Sequence, residues 1–141
     1  MTRLFEERGS ATLELTILTP ALLALLGLVI AAGRIEVAAS AVEQAAASAA
    51  REASLARTPT QAQAAARRAG AGSLRDQGIT CDPLHLTVDT RGFAVPVGQT
   101  AQVEVRIVCS LALSDQAVPG MPGTRTVRAH VTSPLDRYRS R

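Results

Sequence analysis

The spacing of apolar residues changes character several times along this chain. From Leu15 to Gly33, nineteen consecutive residues carry no charge, close to the roughly 20 that cross a bilayer as a helix. Thr16, Thr19, Pro20 and Gly27 interrupt the Leu, Ile and Val. Pro20 withholds one helical hydrogen bond, which membrane helices tolerate. Beyond it, RIEVAASAVEQAAASAAREASLAR has no Gly or Pro and is dominated by Ala, the best helix former. One continuous helix from Ser10 to Arg57 would be about 70 Å long, with only its first half in lipid. Ala41, Ala45, Ala49 and Ala53 recur every fourth residue as a smooth stripe, with Glu36, Glu43, Arg51 and Glu52 off it. Such a stripe permits close approach of another backbone; simple preference of Ala for helix explains it equally well.

A second helix is expected to restart at TPTQAQAAARRAG. Thr58 is a cap residue, Pro59 suits the first turn and Gln61 completes a capping-box pattern. Gly70 and Gly72 are expected to end it. The period then falls to two: Leu84, Leu86 and Val88; Val103, Val105, Ile107 and Cys109; Val127, Ala129 and Val131. These are half-buried strand patterns. Arg91-Gly92 and Val95 to Gly98 lie in the first connection, and Pro119 to Gly123 in the second. The expected fold class is α+β: a long amino-terminal helix, a second short helix and a small three-stranded antiparallel sheet, with room for a short fourth strand around Phe93 to Val97. The apolar face of the sheet should lean on the Ala-rich helices.

Composition narrows this picture. The 141 residues allow about one domain, and part of that length is the apolar run. Phe5, Phe93 and Tyr138 are the whole aromatic complement, so the core should be thin. The net charge is +3, but the arginines are dispersed and no basic stripe is interleaved with stacking aromatics, which argues against nucleic acid as a partner. No nucleophile elbow or phosphate-binding loop is present. His85 and His130 have polar neighbours at spacing two and read as exposed strand positions, so no catalytic set, cofactor or metal site is expected. Cys81 and Cys109 cannot complete a zinc site alone. In an extracytoplasmic setting they would form a disulfide; two buried free thiols are the alternative. Arg3 and Arg8 on one side of the run nearly balance Arg34 and Arg51 on the other, so the charge rule leaves orientation open.

The informative constellation precedes the apolar run, at Gly9-Ser10-Ala11-Thr12-Leu13-Glu14. A Gly at a leader boundary lets extended backbone enter a protease cleft without obstruction. Cutting there would expose an α-amino group on Ser10. A carboxylate at a membrane edge needs a partner, and the new amine of a neighbouring subunit is a suitable one for Glu14.

The stretch RGSATLELTILTPALLALLGLVIAAGR, followed by an Ala-rich helix, resembles the TadE-like pseudopilins of tight-adherence (Flp-type) pilus systems. Gly9 corresponds to the last leader residue of that family, Ser10 to the mature amino terminus and Glu14 to the fifth mature position; Pro20 matches the family's proline. Leu15 stands where the family often has an aromatic residue. The resemblance implies a pilin-like fold and a minor pseudopilin, without catalytic activity of its own. A prepilin-type aspartic peptidase would cut after Gly9 on the cytoplasmic side. Residues 1–9 would then be the leader, 10–57 the membrane-crossing and extended helix, and 58–141 an extracytoplasmic helix and sheet. Expected partners are the membrane, other pilin or pseudopilin subunits and the pilus assembly machinery, and the expected location is the cell membrane or a surface pilus. The competing readings are a single-pass anchored binding domain and a Sec-secreted one.

Overall fold

The computed structural model describes residues 7–116 and 122–138. Helix α1 runs without a break from Glu7 to Leu55, 49 residues, or about 74 Å. Pro20 lies inside it and gives no N–H to the helical ladder. Immediately before it, Thr19 Oγ1 donates to the Leu15 carbonyl at 2.7 Å. The helix stops two residues short of Arg57, where the chain becomes extended at Thr58 (φ −129°, ψ 153°). Thr58 then caps α2 (Pro59–Asp76), its Oγ1 accepting from the Gln61 N–H at 3.2 Å.

Helix α2 does not end at Gly70 or Gly72, as its sequence suggests, but runs on to Asp76. The terminator is Gly78, at φ +69°. Its N–H donates to the Arg75 carbonyl and the next N–H, from Ile79, donates to the Leu74 carbonyl, each at 2.9 Å. This is the paired closure that lets a left-handed residue satisfy the last carbonyls of a helix. Gly70 serves packing instead. A Cβ there would lie 2.7 Å from Leu86 Cδ1 and 3.5 Å from both Ala49 Cβ and Ile107 Cδ1, so the absent side chain lets α1, α2 and the sheet meet.

The sheet has the strand order β1-β2-β3, antiparallel throughout, with β1 at Leu84–Asp89, β2 at Gln102–Ala112 and β3 at Thr124–Pro134. Leu86 faces Ile107, which faces Ala129, so the alternating apolar sets predicted from sequence fall on one face. That face packs on the helices, with α1 against β2 and β3 and α2 against β1. No fourth strand is found around Phe93 to Val97. The Asp89 carboxylate accepts from the Arg91 N–H at 2.9 Å, turning the chain into a short 3₁₀ helix at Arg91–Ala94. Gly92 presses against Gln102, whose carbonyl oxygen would be 2.1 Å from a Cβ, and Phe93 closes this end of the core with 7% of its surface exposed.

The core is correspondingly thin. Ala38, Ala41, Val42, Ala45, Ala46, Ala49, Ala50 and Ala53 from α1 meet Ala62, Ala66 and Leu74 from α2. Val103, Val105, Ile107, Cys109 and Leu111 of β2 supply most of the bulk. Small helix faces compensate for scarce aromatics by letting backbones approach closely.

Candidate functional site

The functional candidates lie along α1, and its two halves have different surroundings. From Leu15 to Ile30, every described residue is exposed; Leu22 and Leu28 each expose 67% of their surface. This stretch projects from the rest of the chain and is long and apolar enough to cross a membrane. Pro20 is on it and exposed. Gly9 and Ser10 lie in the opening turns of α1 and Glu14 just before the bare stretch. The side chains of Ser10 and Glu14 lie outside the described residues, as do Met1 to Glu6 of the expected leader.

From Ala38 upward, one face of the same helix is covered. Ala41 exposes 1% of its surface, and Ala45, Ala49 and Ala53 expose none. The backbone that approaches this stripe is that of α2 in the same chain, with the sheet beside it. The opposite face of α1 keeps Glu36, Ser40, Glu43, Gln44, Ala47 and Arg51 in solvent. The bare apolar segment and this mostly polar face of α1 are therefore left uncovered by the described part of the chain.

Cys81 and Cys109 form a disulfide, separated by 28 positions. Closure of such a loop stabilises a fold by about 3–4 kcal/mol in the chain-entropy account. It ties the segment after α2 to the central strand, at the end of the sheet where Asp82 N–H donates to the Ser110 carbonyl at 2.9 Å. Cys109 is fully buried on the core face.

The outer face of the sheet is polar. His85 and His130 are exposed, as expected from their neighbours. His130 Nε2 lies 2.8 Å from Glu104 Oε1, and Arg106 Nη2 reaches the same oxygen at 3.3 Å. At the end of the sheet away from the disulfide is an open groove of about 680 Å³ that includes Asp89, Arg91, Gln102, Glu104 and Arg137. Asp89 and Arg91 form a forked ion pair. Hydrogen bonds from the Arg91 side chain and backbone hold the Asp89 carboxyl below its ordinary range, and the same pair raises Arg91. Among the described residues, no group of three His, Cys, Asp or Glu is placed to hold a metal ion.

Sequence reasoning missed Gly78, the Asp89–Arg91 clasp and the close-packing roles of Gly70, read as a helix end, and Gly92, read only as part of a connection. Gly70 could have been suspected, because a Gly inside an Ala-rich helical pattern usually has a packing reason. The Glu104 cluster had no linear signal, since pairing across β2 and β3 brings it together.

Fold and site together define a class: an α+β protein whose long amino-terminal helix first stands bare over a membrane-crossing length, then becomes the core of a disulfide-stapled head. Residues 9–51, about a third of the chain, match the family model described as TadE-like protein. That family is a structural one associated with tight-adherence pilus systems. The matched segment is α1 from Gly9 to Arg51, and α2, the sheet and the disulfide lie beyond it. Comparison with curated proteins and with solved structures returned no match.

Proposed function

We propose that this chain is a minor pseudopilin of a tight-adherence pilus, cut after Gly9 by a prepilin-type aspartic peptidase and held in the membrane by Leu15 to Gly33. The observation that carries the reading is a coincidence of position. The TadE-like match begins at Gly9, and the helix that follows is bare over one bilayer thickness before it enters the head.

Residues 1–9 are the cytoplasmic leader, and the head is extracytoplasmic, the setting in which a disulfide persists. The bond between Cys81 and Cys109 supports that orientation. Cleavage needs extended backbone across the peptidase, whereas Gly9 and Ser10 are helical here. Opening this first turn is eased by Gly9, since Gly is about 1 kcal/mol less favourable in a helix than Ala. The exposed Ser10 amine then pairs with Glu14 of an adjacent subunit, setting the axial register of neighbouring helices. The protein acts by assembly with other pilin or pseudopilin subunits and the pilus machinery.

Amino-terminal mass spectrometry of membrane-fraction protein, with and without the cognate prepilin peptidase, tests this directly. The expected chain begins at Ser10 only when the peptidase is present. A start at Met1 or Thr2 in both cases would leave a plain membrane anchor, and a start near Ser40 would mean secretion.

A further inference from the structure

The bare and covered halves of α1 are joined with no linker. Gly33 ends the uncharged run, and Ala38 is already fully buried in the head, a rise of only about 7 Å along the helix axis. The turn that follows α2 reaches down past this junction. Gln77, Gly78 and Ile79 line a shallow groove of about 480 Å³ together with Ile30, Gly33, Arg34 and Val37 of α1. Two of those residues, Ile30 and Gly33, belong to the apolar run itself.

We propose that the turn Gln77-Gly78-Ile79 is a membrane seat, lying at headgroup level in the bilayer that Leu15 to Gly33 crosses, with lipid filling the groove between turn and helix. The proposal rests on the membrane-spanning reading of α1. Its occupant follows from continuity: one wall of the groove is the membrane span, so whatever solvates Ile30 also meets the exposed side of Ile79, whose other side packs on the head core.

The turn is held in place. Its backbone N–H groups close α2 at Gly78 and Ile79, and two residues later the Cys81–Cys109 bond ties the chain to β2. The groove also offers Val37, 68% exposed, an apolar residue one turn beyond Arg34. The charges beside the seat cancel: Arg34 and Arg75 are matched by Glu36 and Asp76. Seating is therefore apolar, with the arginine heads free to rise to the phosphate layer, and does not require anionic lipid.

The chain contains no Trp, so single-Trp variants report local environment without background. Gln77→Trp, Ile79→Trp, Leu23→Trp and Val97→Trp of the full chain would be reconstituted in phosphatidylcholine vesicles. Some vesicles would contain added phosphatidylglycerol, and nitroxide would be placed either near the headgroup or deep in the acyl chains. The expected result is blue-shifted emission from the exposed Gln77→Trp, strong loss of intensity to the shallow nitroxide at both Gln77→Trp and Ile79→Trp, and no dependence on phosphatidylglycerol. Leu23→Trp should respond to the deep nitroxide, and Val97→Trp, at the far end of the head, to neither. Gln77 is exposed, so its variant tests the seat even where Ile79→Trp disturbs folding. Quenching of Leu23→Trp without quenching at Gln77 or Ile79 would overturn the seat and leave the span intact. Failure to quench Leu23→Trp would remove the span and the seat with it. Quenching at the turn only with phosphatidylglycerol would overturn apolar seating.

Discussion

The two halves of α1 belong to one unbroken helix, yet they are built from different residues. The lower half, from Leu15 to Ile30, uses Leu, Ile and Val and leaves them uncovered. The upper half, from Ala38 to Ala53, uses mainly Ala and buries one face completely. Side-chain size marks the difference. A lipid-facing surface gains from large apolar groups, while a helix pressed against another backbone must keep its contact face small. Mean hydropathy, high in the lower half and lowered in the upper half by Glu43, Gln44, Arg51 and Glu52, separates the two stretches, and the spacing of small residues shows which face of the upper one is covered.

The sharpest test of that contrast leaves α1 untouched. Cys81→Ser with Cys109→Ser should cost the head about 3–4 kcal/mol, read as a lower unfolding midpoint for the detergent-solubilised chain. Helicity of the span should survive. Simultaneous loss of both would show that the halves of α1 are one cooperative unit.

Next in size is one substitution made in both halves. Ala49→Leu forces extra bulk into a site with no exposed surface and should destabilise the head by about 1–3 kcal/mol. Ala24→Leu, on the exposed span, should leave the midpoint unchanged. Equal effects would break the distinction drawn here.

A glycine pair sharpens it further. Gly27→Ala adds a methyl that meets nothing within 4 Å and should raise helix stability by about 1 kcal/mol in the absence of packing effects. Gly70→Ala gains the same propensity but pushes the tip of Leu86, 2.7 Å away. Thermal unfolding should therefore show a smaller gain, or a loss, at Gly70.

The smallest effect belongs to the exposed clasp. Asp89 titrates below its ordinary value of 3.8 because Arg91 holds the charged form. A depressed carboxylate contributes stability above its unfolded pKa and loses it as pH falls through its folded pKa. The difference between wild type and Asp89→Asn in unfolding midpoint should be constant from neutral pH to about pH 5 and shrink below about pH 4. A difference that grows on acidification would reverse this assignment.

Much of the architecture was legible because it is written in periods. The recurrence of Ala41, Ala45, Ala49 and Ala53 every fourth residue in α1 and the two-residue spacing of Val103, Val105, Ile107 and Cys109 each report a face that is buried. Thr58 and Pro59 announced the start of α2 by local chemistry alone. Its end was misread because Gly70 and Gly78 are the same letter serving different needs, close packing in one case and left-handed backbone in the other. The strand expected at Phe93 was lost to a side chain, Asp89, which caps the turn. The motif from Gly9 to Glu14 is legible because it is linear. The partner of the Ala41 to Ala53 stripe was not, since helix periodicity identifies a contact face without naming what covers it.

The missing linker in α1 has a mechanical consequence. Axial force applied to the lower helix is delivered straight into the centre of the head, because the rod being pulled is also the core. The disulfide joins position 81 to position 109, both outside α1, and so lies off this line of load. What resists withdrawal of the rod is the Ala seam sliding past α2 and the sheet, together with the short covalent turn from Leu55 to Pro59. The disulfide staples the head against unravelling, while shear along α1 is resisted by packing and by the chain's own turn into α2.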